Sequence, residues 1–254
     1  MKHLIIPDTQ VKPGVDTSHL EWAGKYAVEK KPEVIIHLGD HWDMPSLSSY
    51  DRGKGSMEGK RYVKDIQAGN EAMTRFMAPI IKEQERQRRN KKPVWKPRLI
   101  FLLGNHEERI QRAINDNIQL DDLIGYKDFN LKEYGWEVHP FLEVVTVSGV
   151  AYSHFFTSGI MGRSCTSARA MLTKKHMSCV QGHCQDRDIA FGKRADGTPM
   201  TAIQAGIFYT HDESYLNPQT NGSWFGIWML HEVQDGAFDE MPVSYGYLGK
   251  KFGG

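Results

Sequence analysis

Residues able to bind metals or move protons follow five short apolar runs of the sequence. They are Asp8 and Gln10 after the first run, Asp40 and Asp43 after the second, Asn105, His106 and Glu107 after the third, His154 after the fourth, and His183 and Gln185 after the fifth. Loops at the carboxyl ends of strands in an α/β sheet open on one crevice, so we expect these side chains to converge. Carboxylate, amide and imidazole groups gathered from separate elements are typical of a site for divalent cations.

The elements that must position these residues alternate in the first half of the sequence. Short branched apolar runs such as KHLIIP and EVIIHLG, typical of buried strands, alternate with helical patterns at 19–30 and 61–87. This order predicts a βαβαβ arrangement with a buried parallel sheet. From about residue 135 the apolar runs are separated by turn signals, including Asp196-Gly197 and Asp235-Gly236, which predicts mostly antiparallel strands.

Length and composition favour one large domain spanning residues 1–254. The chain has 254 residues, of which 40% are hydrophobic and 25% charged, enough to bury a substantial core. A net charge of +1 gives no overall field, so attraction to nucleic acid would have to come from a local patch. No apolar run approaches the ~18 residues that span a bilayer. The 3 cysteines show no CxxC spacing, so we expect reduced thiols and a cytoplasmic protein without membrane contact.

The strand-end motifs resemble those of the calcineurin-like metallophosphoesterases, whose signature reads D-x-H, GD-x-x-D, GNH-D/E, H and GH-x-H. The sequence carries DTQ at 8–10, GDHWD at 39–43, GNHE at 104–107, His154 and GHCQ at 182–185. The resemblance implies an α/β fold, a four-layer αββα sandwich of two mixed β-sheets flanked by helices. It also implies hydrolysis of phosphate esters by metal-bound hydroxide with a histidine as general acid, and we expect a phosphodiester or nucleotide substrate.

By the resemblance, two divalent ions share the carboxylate of Asp40. The second site would be completed by Asn105, His154 and His183, and the first by Asp8 with Gln10 and Gln185. His106 would be the proton donor, oriented by Asp43. Glu107 would hold the ligand residues in place without binding the metal itself. A histidine held by a carboxylate suits this task because the carboxylate favours the charged form.

Gln10 and Gln185 stand where the family has histidines, and both belong to the first site. Its ligands would then all be oxygens, which suit Mg²⁺ or Mn²⁺, whereas the imidazoles of the second site accept Mn²⁺, Fe²⁺, Ni²⁺ or Zn²⁺ more readily. Manganese is therefore the expected activator. The alternative left open is a first site so weak that it fills only with substrate present, or never.

Three regions carry candidate substrate contacts. The glycine-rich segment 46–62 follows the metal loop as a substrate-facing loop and contains Arg52 and Arg61. Arg163 lies in a segment that leads into a predicted helix whose first amides could receive an anion, and Arg109 lies one turn beyond His106. Guanidinium groups bind phosphate oxygens bidentately, although a basic glycine-rich loop is equally often only solvated.

Two alternative functions stay open on the sequence alone. The basic run 82–98 with Trp95 could bind a nucleic-acid backbone and stack a base, as in a DNA nuclease of the same superfamily, or could be a solvated helix end. The two glutamines would also fit a catalytically degenerate metal-binding protein. Two further histidines are interpreted structurally, His37 as a core residue and His41 as a rim residue. The sequence does not set the oligomeric state.

Overall fold

Two stacked mixed β-sheets lie between layers of helices, as the four-layer prediction requires. The structure is a computed structural model and describes residues 1–51, 53–211 and 223–254. Arg52, one of the candidate substrate contacts, lies outside the described residues. The sheets contain six and five strands. The predicted fold class is therefore confirmed.

The helices and strands are numbered in chain order. The strands are β1 (His3–Ile6), β2 (Val34–His37), β3 (Arg98–Leu102), β4 (Glu137–His139), β5 (Val145–Val147), β6 (Val150–Ser153), β7 (Cys179–Gln181), β8 (Arg187–Lys193), β9 (Pro199–Ala205), β10 (Gly226–Gln234) and β11 (Ala237–Ser244). The helices are α1 (Ser18–Lys30), α2 (Tyr62–Arg89), α3 (Arg109–Asp116), α4 (Ala168–Lys175) and α5 (Tyr245–Phe252). Short 3₁₀ turns lie between β2 and α2, at Pro45–Leu47, Ser49–Asp51 and Gly55–Met57.

The first sheet contains the βαβαβ unit predicted from the sequence. Its order is β11-β10-β1-β2-β3-β4, with β1, β2, β3 and β4 mutually parallel. The carboxyl ends of β1, β2 and β3 therefore open at one edge, where the loops that begin near Asp8, Asp40 and Asn105 emerge. The antiparallel strands β10 and β11 close the opposite side of the sheet.

The second sheet is less antiparallel than the sequence suggested. Its order is β5-β6-β7-β9-β8, and its three inner strands β6, β7 and β9 are parallel. The expectation of antiparallel strands holds for the pairs β5–β6, β8–β9 and β10–β11 but not for the inner strands, because α4 forms a crossover between β6 and β7, and β9 lies between β7 and β8. The turn signals themselves were interpreted correctly, since Asp235 and Gly236 have φ of 51° and 87° and join β10 to β11.

The core between the sheets is made of branched apolar side chains from both. Ile36, Ile100 and Leu102 of the first sheet pack with Val180 and Ile203 of the second, and all are fully or almost fully buried. Helices α1, α2 and α5 cover the outer face of the first sheet, and α4 packs on the outer face of the second. Among residues 1–51, 53–211 and 223–254, no helix has both the length and the apolar character needed to cross a bilayer.

Candidate metal centre

Three ligand-capable side chains meet where the carboxyl ends of β2, β6 and β7 approach one another. One ligand atom each from Asp40, His154 and His183 lies within 4.8 Å of the others, and Asp40 and His154 are buried. The amide oxygen of Asn105 lies 2.9 Å from Nε2 of His154. The structure therefore brings together the four residues assigned to the second site.

The hydrogen bonds around His154 direct one ring nitrogen toward the other candidate ligands. Its Nδ1 donates to the carbonyl of Leu38 at 2.8 Å, so in the neutral ring Nε2 carries a lone pair. Burial lowers the pKa of His154 and therefore favours that neutral ring. Nε2 faces two more acceptors, Oδ1 of Asn105 at 2.9 Å and Oδ2 of Asp40 at 3.5 Å. The ring nitrogen and the two oxygens converge on one another, an arrangement that suits a cation.

Asp8 presents a second buried carboxylate to the same region. Its Oδ1 accepts the backbone N–H of His183 at 3.0 Å, whereas its buried Oδ2 has no hydrogen-bond partner among the described residues. Burial, and then the nearby charge of Asp40, raise the pKa of Asp8 well above its ordinary value. Two neighbouring buried carboxylates, one with an unpartnered oxygen, fit a divalent cation because its charge offsets their repulsion.

The motif glycines make room for these ligands. A methyl group on Gly104 would lie 2.1 Å from Oδ1 of Asp40, and one on Gly182 would lie 2.5 Å from Oδ1 of Asp8. Gly39 has φ of +96°, a conformation that disfavours other residues. Each of these glycines is therefore required by close approach or by backbone conformation.

The two glutamines, Gln10 and Gln185, lie beside the site and differ in their hydrogen bonds. Gln10 is buried, has φ of 36°, and donates its backbone N–H to the carbonyl of Asp40 at 2.8 Å. Gln185 donates Nε2 to the hydroxyl of Tyr209 at 3.3 Å and accepts at Oε1 from Ser223 at 3.4 Å. Their assignment to the first site stays a prediction.

Tyr209 is a site-lining residue that the sequence reasoning missed. It is buried, and the adjoining Phe208 donates its backbone N–H to the carbonyl of Asp8 at 2.7 Å. The signal was present, because β9 also ends in a glycine, Gly206, followed within three residues by a polar side chain.

His106 and Asp43 form a close pair next to the metal ligands. Nδ1 of His106 lies 2.6 Å from Oδ1 of Asp43, and Nε2 lies 3.7 Å from Oδ2 of Asp40. Burial lowers the pKa of His106, but the charge of Asp40 and the bond to Asp43 outweigh it and raise that pKa to about 9. Arg109 donates to the carbonyl of Asp43 at 2.7 Å, and its Nη2, also a donor, lies 3.4 Å from Nε2 of His106, so the charge of Arg109 opposes protonation of the ring. Asp43 holds the ring through Nδ1, with Nε2 at the edge of the candidate site.

Glu107 fixes the two metal loops against each other. Its carboxylate accepts backbone N–H groups from Gly104 at 2.8 Å, Asp40 at 2.9 Å, His41 at 2.6 Å and Trp42 at 2.9 Å. Burial and the charge of Asp40 raise its pKa to about 7, while the N–H bonds act in the opposite direction. Glu107 thereby holds the backbone of Asp40 in place.

His41 is a core residue, so its interpretation as a rim residue was wrong. Its Nε2 must donate to the carbonyl of Gly69 at 3.0 Å, so its Nδ1 accepts from the hydroxyl of Thr9 at 2.7 Å. Thr9 in turn accepts from Nε2 of His37 at 3.3 Å. His37 is buried and stacked on Phe101, in agreement with its prediction as a core residue. This chain of hydrogen bonds ties the loop after β1 to the loop after β2.

The remaining arginine candidates are placed differently. Arg61 and Arg109 border one cleft, which also reaches Asp43. Arg163 is exposed, and its role stays a prediction. The first amide of α4, expected to be available for an anion, instead donates to Asp188 at 2.7 Å, so a carboxylate of the protein already occupies that place.

The placement of the basic run 82–98, which spans the end of α2, favours its interpretation as a solvated helix end. Trp95 is half-buried against the core and donates its indole N–H to the carbonyl of Pro32 at 2.8 Å. Pro32 precedes β2, so the indole lies at the amino end of the sheet, opposite the metal ligands. Trp95 is therefore not presented for stacking on a base.

Comparisons with known proteins give similarities to a phage protein and to solved structures. No family model matches the chain. The Gene 54 protein of Mycobacterium phage D29 is 31% identical over 77 residues, which are 30% of this chain and 29% of that protein. The chain therefore aligns with less than a third of that relative's length. Among solved structures, Yfce, a phosphoesterase from E. coli, aligns with 96% of this chain and 100% of its own at 9% identity and a TM-score of 0.41.

The geometry of the centre agrees with the resemblance drawn from the motifs. The Asp40, His154 and His183 cluster gathers residues from three different motifs of the metallophosphoesterase signature. It is the convergence of side chains distant in sequence, rather than the overall similarity of shape, that supports the resemblance.

Proposed function

We propose that this protein is a divalent-metal-dependent phosphoesterase of the calcineurin-like type, acting on phosphodiesters or nucleotides in the cytoplasm. The observation that carries the proposal is the placement of a carboxylate-held histidine, His106, beside the converging ligand groups of Asp40, His154 and His183. The three free cysteines fit a reducing compartment.

In this proposal one set of residues binds the metal ions and His106 transfers the proton. Asp40, Asn105, His154 and His183 would hold one divalent ion, and a second would lie between Asp40 and Asp8. Ions bound there supply positive charge for the phosphoryl oxygens and lower the pKa of the attacking water. His106 would donate its Nε2 proton to the leaving oxygen, while Asp43 holds the ring through Nδ1.

The preference for diesters rests on the surroundings of Asp43. Protein phosphatases of the resembled superfamily have an arginine directly after GD-x-x-D, and here that residue is the fully buried Met44. Arg109 instead reaches the same loop from α3, donating to the carbonyls of Asp43 and Met44. We propose Arg109 and Arg61 as the substrate contacts.

The proposal is tested by a metal-by-substrate screen. Metal-free protein is loaded with Mn²⁺, Mg²⁺, Ni²⁺, Fe²⁺ or Zn²⁺, and assayed on bis(4-nitrophenyl) phosphate and 4-nitrophenyl phosphate with metal content measured in parallel. Hydrolysis of the diester with Mn²⁺ as the best activator is expected, and chelation should abolish it. Binding of metal without hydrolysis of either ester under any condition would refute the enzymatic proposal.

Restoring the two family histidines separates an enzyme from a degenerate relative. We expect Gln10→His with Gln185→His to raise the number of Mn²⁺ ions retained per chain after dialysis, because imidazole binds transition metals more strongly than a neutral amide does. The natural protein should already hydrolyse the diester when free Mn²⁺ is supplied. Hydrolysis by the double variant alone would instead identify the natural chain as a metal-binding protein without catalysis.

A further inference from the structure

The cleft beside the proton donor extends well beyond the catalytic pair. It has a volume of about 440 Å³ and runs from Asp43 and Arg109 to Arg61 and Lys64, with Lys12 along its border. Asp43 and Arg109 both contact His106, so this cleft adjoins the residue proposed as the proton donor.

The carboxylates of the cleft are largely engaged by the protein itself. Asp43 is bound to the proton donor, and Asp51 is paired with Lys60 at 3.4 Å. Asp65 accepts a backbone N–H from the facing loop at 2.9 Å. Glu58 is the fourth, and it lies exposed at the outer border.

The cations at the far end are not neutralised in the same way. Arg61 donates to the backbone carbonyl of Lys60, a neutral partner. Neither Arg61 nor Lys64 forms an ion pair with a carboxylate in the part of the chain that the structure describes. The two residues are three apart, Arg61 in extended backbone directly before α2 and Lys64 in its first turn. The start of this 28-residue helix carries no side-chain cap and adds a partial positive charge.

We infer that this cleft binds an anionic leaving group, and specifically a second phosphate carried by the alcohol that leaves. Arg61 and Lys64 would hold that phosphate, with Lys12 alongside, while the phosphate being cleaved lies at the metal centre. The substrate class is then a phosphodiester whose leaving side is itself phosphorylated, as in a chain of nucleotides. This inference rests on the proposed function and specifies its substrate.

The inference is tested by binding, which does not depend on turnover. Affinities of the Mn²⁺-loaded protein for thymidine 3′,5′-bisphosphate, thymidine 5′-phosphate and thymidine 3′-phosphate are measured by calorimetry. The bisphosphate should bind about tenfold more tightly than the better of the two monophosphates, since charged hydrogen bonds to a second phosphate contribute on this order. In Arg61→Gln with Lys64→Gln that ratio should fall to about one.

A matched control lies at the other end of the same helix. Arg89→Gln with Lys92→Gln removes the same number of positive charges, and 28 residues of helix separate it from the cleft by about 40 Å. This variant should keep the tenfold ratio. Thermal unfolding of all variants confirms that each is folded.

Two results would overturn the inference, and neither depends on whether the protein is an enzyme. One is equal affinity of the natural protein for the bisphosphate and the monophosphates. The other is a preference that survives in Arg61→Gln with Lys64→Gln or is lost equally in the control variant, which would indicate only a long-range charge effect. The proposed function fails by a different measurement, the absence of hydrolysis in the metal-by-substrate screen.

Discussion

Asp40→Asn should lose its bound divalent metal and with it the hydrolysis of any phosphate ester. The carboxylate lies within 4.8 Å of the ligand atoms of His154 and His183 and accepts the backbone N–H of His106 at 2.8 Å, so it belongs both to the ligand cluster and to the loop that carries the proton donor. The metal contribution is several kcal/mol, so we expect a loss of about a thousandfold or more in kcat. Metal content after dialysis and kcat on bis(4-nitrophenyl) phosphate are the measurements.

The same substitution at an exposed turn provides the control. Asp196→Asn keeps a side-chain oxygen for the bond to the backbone N–H of Thr198 and lies in the hairpin between β8 and β9. It should retain metal and activity. Full metal content in Asp40→Asn would remove Asp40 from the ligand set and contradict the proposed centre.

His106→Ala should keep its metal and lose activity selectively. The ring bonds to Asp43, so its removal takes away the proton donor and spares the metal ligands. For esters with poorly activated alcohol leaving groups we expect kcat to fall roughly 10²–10⁴-fold, and nitrophenyl esters should lose much less because their leaving groups need no proton. The test compares kcat on a thymidine alkyl phosphodiester with kcat on its nitrophenyl counterpart.

His231→Ala is the matched control for this prediction. His231 lies on β10, next to the position that pairs with the amino end of β1, at the opposite end of the sheet from the site. Its loss should affect neither ester. Equal losses on both esters in His106→Ala would show that the ring positions the substrate or metal and does not donate a proton.

Periodicity was sufficient to predict the parallel strands β1, β2 and β3, whereas the four layers were predicted from the resemblance of the strand-end motifs to a known family. Each of these three strands is a short apolar run followed closely by a proline or glycine and then by polar residues. The order of the second sheet could not be predicted in the same way. Whether β7 pairs with β8 or with β9 depends on tertiary contacts, and a hairpin turn signal between β8 and β9 is compatible with both arrangements.

The error at His41 shows what a motif leaves out. The letters between Gly39 and Asp43 give no indication that one of these side chains turns inward to bond Thr9 and the carbonyl of Gly69. That partner lies on α2, and Gly69 is glycine because a methyl there would lie 2.0 Å from the indole of Trp42. Contacts between distant segments decide such a position, and single-sequence reasoning has no access to them.

Gly104 and Gly182 each lie against a candidate ligand from a neighbouring loop, and this limits which substitutions the centre tolerates. Gly104 makes space for the carboxylate of Asp40, and Gly182 makes space for that of Asp8, so the residue that tolerates no side chain and the ligand it accommodates belong to different segments. If a single loop were transplanted into another scaffold, it would bring either a ligand without the glycine that makes space for it, or the glycine without the ligand. The two loops of each pair must therefore be retained together when the centre is engineered.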